Sequence, residues 1–173
     1  DLGLEKLNYG YQEGEGGIAD ALRMAESFVG SDSCVVILGD NIIADDISSG
    51  VAAFRTLGGC HIFTKEVDDP ERFGVVEYEP VGGGIKDILE KPTVPPSNDA
   101  VIGLYMYDNS VFSRIRTLKP SDRGELEVTD LNRDYLKDGE LTAHKLHGTW
   151  IDCGTFDSLA CATQKFYDDR HET

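Results

Sequence analysis

The stretch VVILGDNI, residues 35 to 42, decides the predicted fold, because an apolar run ends there in a polar turn. Residues 34–38 are apolar and rich in β-branched side chains, a pattern that predicts a strand buried on both faces, as in a parallel sheet. Gly39, Asp40 and Asn41 follow directly. Open α/β sheets bind ligands at the carboxyl ends of their strands, so Asp40 is a candidate functional residue. The alternative is a plain turn, which all three residue types favour.

Helix and strand patterns alternate around this strand in the first half of the chain. Strands are predicted over 4–12, 34–38 and 60–66, and helices over 17–30 and 48–57. The side chains expected to face the core are Ile18, Leu22, Ala25 and Val29 in the first helix and Val51 and Phe54 in the second. This β-α-β-α-β order is typical of an α/β protein with a parallel sheet covered by helices.

The second half of the chain has a less regular pattern. We expect a hairpin over 73–92, a surface loop over 92–98 and a buried strand over 100–108. A short helix is predicted over 110–118, capped by Asp108 or Asn109, and a second helix over 127–139, ended by Gly139. Strands are predicted over 141–148 and 149–152. A last helix is predicted from about Thr155, with Phe156, Leu159 and Phe166 facing inward. The sequence has no internal repeat and no linker, so we expect residues 1–173 to form a single domain.

Composition excludes several classes of protein. The net charge of -16 argues against binding to nucleic acid or to an anionic membrane, and no apolar run is long enough to span a bilayer. The four cysteines lie singly, with no CxxC pair, which indicates reduced thiols and a cytoplasmic location. On so acidic a chain, a phosphate ligand would need a few placed cations or a metal ion.

Charged residues stand at the ends of three predicted strands. Asp40 follows the first of them, Asp152 ends WID, and Glu90-Lys91 ends the hairpin. Paired carboxylates without histidine or cysteine ligands suit Mg²⁺, and lysine is a common partner of phosphate. Each motif alone is equally compatible with a turn. Together they predict a site for a metal ion and a phosphate.

Several stretches, in this order, resemble the sugar-1-phosphate nucleotidylyltransferase family. They are YGYQEGEGGIADAL, VVILGDNI, DDPERFGVVEYE, LEKP, AVIGLYMYDNSVF, LKPSDRGELEVTDLNRDYL and WIDCGT. The resemblance extends from about Leu4 to Phe166. The RGELE run at 123–127 is the most specific motif, and it favours the branch that uses glucose 1-phosphate and dTTP over those that make UDP- or ADP-glucose.

The resemblance implies a fold, a reaction and partners. The implied fold is a three-layer α/β sandwich with a mixed, mostly parallel, Rossmann-like central sheet. The implied reaction transfers a nucleotidyl group from dTTP, or from UTP, to glucose 1-phosphate and releases pyrophosphate. Mg²⁺ is the implied cofactor and a homo-oligomer the implied assembly.

The resemblance also assigns residues to roles. Asp40 and Asp152 would hold Mg²⁺, while Lys91 and Arg123 would bind the sugar phosphate. The other implied substrate contacts are Gln12 and Gly17 at the base, Gly39 beside the first aspartate, Gly74, Glu90 and Val101 at the sugar, and Tyr105 and Trp150 as aromatic walls. Core packing is the alternative role for the two aromatic residues.

The sequence departs from the family pattern in places. Family members begin with a strand and a glycine-rich loop that binds the triphosphate, whereas this sequence opens at Asp1, beyond that region. We therefore expect an N-terminally incomplete sheet with an unpaired edge, and no turnover by this chain alone. Glu13 and Asp20 stand where proline and glutamine are common, which leaves thymine or uracil preference open. A non-catalytic sugar-phosphate-binding or regulatory module and a glycosyltransferase-like domain are the alternatives.

Overall fold

The structure is a computed structural model that describes residues 6–171, with side chains up to Tyr167 in the last helix. Its helices are α1 (Ile18–Arg23), α2 (Glu26–Val29), α3 (Ser48–Leu57), α4 (Val111–Ile115), α5 (Val128–Lys137) and α6 (Phe156–His171). Its strands are β1 (Cys34–Ile37), β2 (Asn41–Ala44), β3 (Cys60–Glu66), β4 (Gly74–Tyr78), β5 (Ile85–Glu90), β6 (Asp99–Tyr107), β7 (Leu141–Lys145) and β8 (Thr149–Asp152). A short 3₁₀ turn covers Pro70–Arg72.

Strand β6 organises the main sheet, and all nine of its residues are buried. On one side it pairs with β3 at both of its ends, with a register shift between Ile62 and Thr64 of β3. On the other side, β1 pairs with its C-terminal half, from Leu104 to Tyr107, while β4 pairs with its N-terminal end at Ala100 and Val101. The sheet therefore divides between β1 and β4, and the edge of β6 around Gly103 faces the opening.

Helices pack on both faces of the sheet, as expected for a three-layer α/β fold. The alternation of strand side chains sends Ile102, Leu104 and Met106 of β6 toward α3, where Val51 and Phe54 pack against them. The intervening Val101, Tyr105 and Tyr107 face α1, α4 and α5 on the opposite side. Burying both faces explains why this strand is apolar at nearly every position.

The sheet is mixed, but the expectation of mostly parallel pairing is wrong for the described strands. The pair β3–β7 is parallel, whereas β1–β6, β3–β6, β4–β5, β4–β6 and the separate pair β2–β8 are antiparallel. The reason is that β6 lies between β1 and β3 and runs opposite to both. Periodicity reports which faces of a strand are buried and carries no information on the direction of its neighbours.

Burial of β1 on both faces was also a wrong expectation. Val35 and Ile37 are 59% and 60% exposed, while Val36 packs in the core. The helix α3 covers this face of the sheet at β3 and β6 rather than at β1. An apolar strand face consequently remains open in the described part of the chain.

Other differences lie at the two ends of the chain. Residues 6–10 of the expected strand 4–12 form no regular structure, and Tyr9 is 90% exposed; residues 4 and 5 lie outside the described residues. The helix expected over 17–30 is divided into α1 and α2 by a turn at Met24–Ala25. In α6, Phe156 is 91% exposed and Leu159 is 48% exposed, whereas Ala162 is buried, so the expected inward face was wrong at both Phe156 and Leu159.

The remaining elements match their predicted positions. The helix α3, the hairpin β4–β5, strands β3, β6, β7 and β8, and helices α4 and α5 all lie where the patterns place them. The predicted cap of α4 was wrong, because its N-cap is Ser110 rather than Asp108 or Asn109. Gly139 has a φ of 74°, a left-handed conformation that suits a residue ending a helix. Strand β2 was not predicted. Among the described residues, no helix is long and apolar enough to cross a membrane.

Candidate active site

A cleft of about 200 Å³ lies where the sheet divides between β1 and β4. We call it the sheet cleft. Its lining includes these residues that the sequence singled out: Asp40, Gly74, Glu90, Lys91, Val101, Tyr105, Trp150 and Asp152. Gln12, Gly17, Gly39 and Arg123 were also singled out but do not line this cleft. The position follows from the topology, because β1 and β4 approach β6 from opposite ends and leave a gap between them.

Asp40 and Asp152 converge on one point at the cleft. The register of β2 and β8 pairs Asn41 with Asp152, and the Cys153 N–H donates to the Asp40 carbonyl oxygen at 2.7 Å. A Cβ atom at Gly154 would lie 3.0 Å from Asp152 Oδ1 and 3.2 Å from Asp40 Oδ2. Both carboxylates therefore border the space beside Gly154, which a side chain at that position would fill.

The donor set at this point fits a hard divalent cation. Two carboxylates suit Mg²⁺, which usually takes one or two protein carboxylates and completes its shell with phosphate oxygens and water. Among residues 6–171 there is no cluster of three or more histidine, cysteine or acidic side chains that could hold a metal alone. The remaining ligands would have to come from the substrate.

Asn41 joins three strands at the cleft and was missed as a functional candidate. Its Oδ1 accepts hydrogen bonds from the Gly103 N–H at 2.9 Å and from Trp150 Nε1 at 2.7 Å, and its Nδ2 donates to Asp40 Oδ1 at 2.8 Å. A Cβ at Gly103 would lie 2.7 Å from Asn41 Nδ2, so glycine permits this approach. Asn41 thereby fixes the Asp40 carboxylate relative to β6 and β8. The polar turn in VVILGDNI was the available signal.

The end of the β4–β5 hairpin brings an acidic and a basic side chain to the cleft. Glu90 Oε2 accepts a hydrogen bond from the hydroxyl of buried Thr129 at 2.5 Å, and Lys91 Nζ lies 3.9 Å from Glu90 Oε1. Lys91 has a φ of 42°, a backbone conformation that L-residues rarely adopt, and its N–H donates to the Phe73 carbonyl at 2.9 Å. Such strained positions cluster at functional sites.

Arg123 lies beside the cleft with its charge already paired. Its Nη2 lies 2.9 Å from Glu127 Oε2, 3.4 Å from Glu90 Oε1 and 3.8 Å from Glu125 Oε2. The hydrogen bond to buried Glu127 raises the pKa of Arg123 further above its usual value. A phosphate in the cleft would therefore share this guanidinium with carboxylates rather than meet a free cation.

Aromatic side chains close one wall of the cleft. Trp150 packs edge-on against Phe73, with ring centroids 5.5 Å apart, and both line the cleft. Tyr105 is 4% exposed and stacks on Tyr107, so core packing and cleft lining both apply to it. Burial raises the pKa of the Tyr105 hydroxyl well above its ordinary value, which keeps it neutral.

The loop that carries Gln12 and Gly17 borders a second and larger space of about 1080 Å³, the helix groove, between β1 and helices α1 and α2. Gln12 Nε2 donates to the Gly17 carbonyl at 3.1 Å and to Asp20 Oδ2 at 3.0 Å. Gly17 has a φ of 87°, and a Cβ there would lie 2.6 Å from the Leu126 carbonyl oxygen. The RGELE segment thus holds this loop in place.

The sheet cleft and the helix groove are neighbours. Ile18 and Leu38 line both of them. Asp40 lies two residues after Leu38 and lines the sheet cleft, so the paired carboxylates lie close to the junction of the two spaces. Gly39 lines neither of them, and a Cβ there would meet nothing within 4 Å. A ligand lying across the junction would meet the carboxylates near its middle.

Comparison with known proteins assigns a family to this architecture. The nucleotidyl transferase family model matches residues 3–169, and the chain belongs to that family. Within it, the glucose-1-phosphate thymidylyltransferase of Neisseria meningitidis serogroup A is 42% identical over 164 residues, covering 92% of this chain and 56% of that protein. The enzyme of the same name from Mycobacterium tuberculosis is 41% identical over 156 residues, covering 88% and 54%. The resemblance seen in the motifs is thereby confirmed.

Solved structures give the same result. A crystal structure of a Bacillus anthracis protein, assigned as a glucose-1-phosphate thymidylyltransferase and complexed with sucrose, matches with a TM-score of 0.82 and 51% identity, covering 90% of this chain and 63% of that one. A UDP-glucose pyrophosphorylase complexed with UDP-glucose matches with the same TM-score of 0.82 at 27% identity, covering 94% and 66%. The chain spans little more than half the length of the two thymidylyltransferases: 56% of the Neisseria protein and 54% of the Mycobacterium protein.

Proposed function

We propose that this chain carries the sugar-phosphate side of a nucleotidyltransferase that joins glucose 1-phosphate to a nucleotide taken from dTTP. The observation that carries the proposal is the sheet cleft, which gathers Asp40, Asp152, Glu90 and Lys91 at the break in the sheet. The named relatives support glucose 1-phosphate and thymidine nucleotide as the substrates.

The proposed chemistry needs positioning and charge neutralisation more than proton transfer. A sugar phosphate is largely dianionic at neutral pH, because its second pKa is about 6, so its oxygen can attack the α-phosphorus without a general base. The new bond joins that oxygen to the α-phosphorus, and the bond to the β-phosphate breaks to release pyrophosphate. Mg²⁺ held by Asp40 and Asp152 would supply charge stabilisation on the α-phosphate.

The chain's own residues would act on the sugar phosphate. Lys91 would bind the attacking phosphate, and Arg123 would assist at its edge while remaining paired with Glu127. Glu90, held by Thr129, would accept a hydrogen bond from a sugar hydroxyl, and Gly74 and Val101 would lie against the ring. Trp150 and Tyr105 would exclude water from one side.

The nucleotide side of the proposal rests on the helix groove. Gln12 would hydrogen-bond the base, and the backbone at Gly17 would allow the base to approach closely. Thymine and uracil differ by one methyl group, a difference worth only about 1–3 kcal/mol from pocket shape. The preference for dTTP over UTP is therefore best measured as a ratio of kcat/KM on the whole protein, where we expect a value of about 10–200.

The proposal also includes a location and an assembly. All four cysteines are free thiols in the structure, which supports a reducing compartment, and we propose the cytoplasm. We also propose that the whole protein self-associates, as the resemblance to the family implies. Light scattering and cell fractionation would measure the two separately.

Calorimetry with glucose 1-phosphate tests the proposed function on this chain directly. Lys91→Ala should weaken binding about tenfold, since a charge-assisted contact on a half-exposed lysine contributes roughly 1–2 kcal/mol. Lys86→Ala is the matched control: both side chains are 51% exposed and lie on the same hairpin, but Lys86 pairs with Glu77 away from the cleft. Equal affinities for the two variants would refute the role of Lys91, and no binding by wild type would refute the sugar-phosphate site.

A further inference from the structure

Arg72 lies at the sheet cleft although no sequence motif singled it out. It ends the 3₁₀ turn Pro70–Arg72 and lines the cleft. Its Nη2 lies 3.6 Å from Asp152 Oδ2, and its Nη1 donates to Asp69 Oδ2 at 2.6 Å. Its guanidinium carbon lies 5.1 Å from the Phe73 ring centroid, within the range of a cation–π contact.

These contacts hold a positive charge beside a carboxylate of the candidate metal site. Asp152 and Asp40 border the same space at Gly154, so their charges repel each other unless a cation lies near. Arg72 is the basic side chain that the structure pairs with Asp152 within 4 Å. The ion pairs with Asp69 and Asp152 raise the pKa of Arg72, which keeps it charged.

A guanidinium and a divalent cation compete for the same carboxylate. Asp152 Oδ1 accepts a hydrogen bond from the Gly154 N–H at 2.9 Å, which leaves Oδ2 as the oxygen facing Arg72. A metal ion in the space beside Gly154 would meet Asp152 Oδ1, so Arg72 at Oδ2 would set a second positive charge on the same carboxylate and weaken metal binding. The side chain of Arg72 is 52% exposed and can move, and a phosphate entering the cleft would offer its guanidinium a new partner.

We propose that Arg72 is a positioning residue that holds Asp152 as a counter-ion until a phosphate ligand enters, so that the divalent metal binds together with the phosphorylated substrate and only weakly before it. This inference rests on the proposed function, because it presumes a metal site at Asp40 and Asp152. When the metal ion binds the Asp152 carboxylate, Arg72 leaves Asp152 and pairs with a phosphate oxygen of the substrate instead. No covalent bond changes.

The test is the affinity of this chain for Mn²⁺, measured by electron paramagnetic resonance with and without glucose 1-phosphate. Without the sugar phosphate, Arg72→Gln should bind Mn²⁺ roughly threefold to tenfold more tightly than wild type. The reason is that the substitution removes the positive charge that lies 3.6 Å from Asp152 Oδ2. With saturating glucose 1-phosphate, this advantage should disappear, because Arg72 then contributes to phosphate binding.

Arg116→Gln is the matched control. Arg116 is 55% exposed and pairs with Glu26 at 2.6 Å, so its loss changes the net charge equally without touching the cleft. Circular dichroism would show whether each variant is folded. If Arg72→Gln fails to fold, Arg72→Lys tests the same idea, because a lysine without the guanidinium's planar contacts should hold Asp152 less well and raise the Mn²⁺ affinity in the same direction.

The outcomes separate this inference from the proposed function. If Arg72→Gln and Arg116→Gln bind Mn²⁺ equally while Asp152→Asn loses binding, the metal site stands and the role of Arg72 is refuted. If the advantage of Arg72→Gln persists with glucose 1-phosphate, the exchange of partners is refuted. If neither wild type nor Arg72→Gln binds Mn²⁺, both the inference and the proposed metal site are wrong.

Discussion

Replacing Asn41 with alanine should destabilise the fold at the point where the candidate site is assembled. The change leaves the Gly103 N–H and the Trp150 Nε1–H without their acceptor, at 2.9 and 2.7 Å in the structure. Gly103 is buried, so leaving its N–H without an acceptor should lower the free energy of unfolding by about 1–3 kcal/mol. Trp150 is half-buried, and losing its bond should lower the free energy of unfolding by about 1 kcal/mol more, because water can partly replace the acceptor. The sum is about 2–4 kcal/mol.

Urea denaturation followed by circular dichroism measures this loss. For a chain of this size, about 2–4 kcal/mol corresponds to a Tm lower by roughly 5–15 °C. Asn41→Asp keeps an oxygen for both donors but sets a carboxylate oxygen against Asp40 Oδ1, where the amide donated at 2.8 Å, so it should also be less stable than wild type. The control is Asn109→Ala, since exposed Asn109 donates only to loop carbonyls, those of Gly30 and Asp32.

If Asn41→Ala lies within about 0.5 kcal/mol of wild type, or loses no more than Asn109→Ala, the three hydrogen bonds do not hold the junction of β2, β6 and β8 together. Asp40 would then owe its position to the Cys153 hydrogen bond alone.

Three further predictions concern residues around the site and in the core. Gly17→Ala should lower the free energy of unfolding by about 1–3 kcal/mol in urea, because position 17 has both a positive φ and a crowded Cβ, whereas Gly14→Ala has the positive φ alone and should lose less. Burial lowers the pKa of His61 and His144 below 6.5, so the unfolded chain binds more protons than the folded one as the pH falls through 6.5. The free energy of unfolding should therefore fall between pH 7 and pH 5, and more steeply in wild type than in His144→Gln. Glu127→Gln should cost about 1–2 kcal/mol in the same urea assay, because this buried carboxylate loses the charge that pairs with its arginine.

Each of these predictions can be contradicted by a single result. Equal losses for Gly17→Ala and Gly14→Ala would show that the crowding against Leu126 relaxes freely. A wild-type stability that does not change between pH 7 and pH 5 would show that His61 and His144, whose ring centroids stack 5.0 Å apart, take up protons without opening the core. Glu127→Gln with unchanged stability would place the Arg123 pair among surface ion pairs, which contribute little.

The buried elements could be predicted from the sequence because their signals are local. Strand β6 is buried at every position, and an unbroken apolar run is the expected pattern for a strand covered on both faces. The helix α5 ends where Gly139 adopts a left-handed conformation that glycine favours. The motifs around Asp40, Lys91 and Asp152, which lie far apart in the sequence, come together at the sheet cleft.

The errors occurred where a signal depends on what lies next to a segment. The run at 34–38 predicted burial on both faces, but helix α3 does not reach that side of β1, so Val35 and Ile37 are exposed. The segment at 4–12 has the composition of a strand, yet its described residues, from Lys6 onward, pair with no other strand. Hydrophobicity shows what a residue could bury, and only the neighbours decide whether it does.

The membership of the site was decided by the tertiary structure. From the sequence alone, Lys91 and Arg123 were equivalent cations, but the fold places Lys91 in the sheet cleft and ties Arg123 to Glu127. Arg72 and Asn41 lie within quoted motifs but were not singled out, because their importance depends on distances to Asp152 and Gly103 that no local pattern encodes. Residue types and spacing specify which segments are strands, helices and turns. The approach of β1 and β4 to opposite ends of β6 is a long-range packing event, and it alone creates the cleft that brings these side chains together.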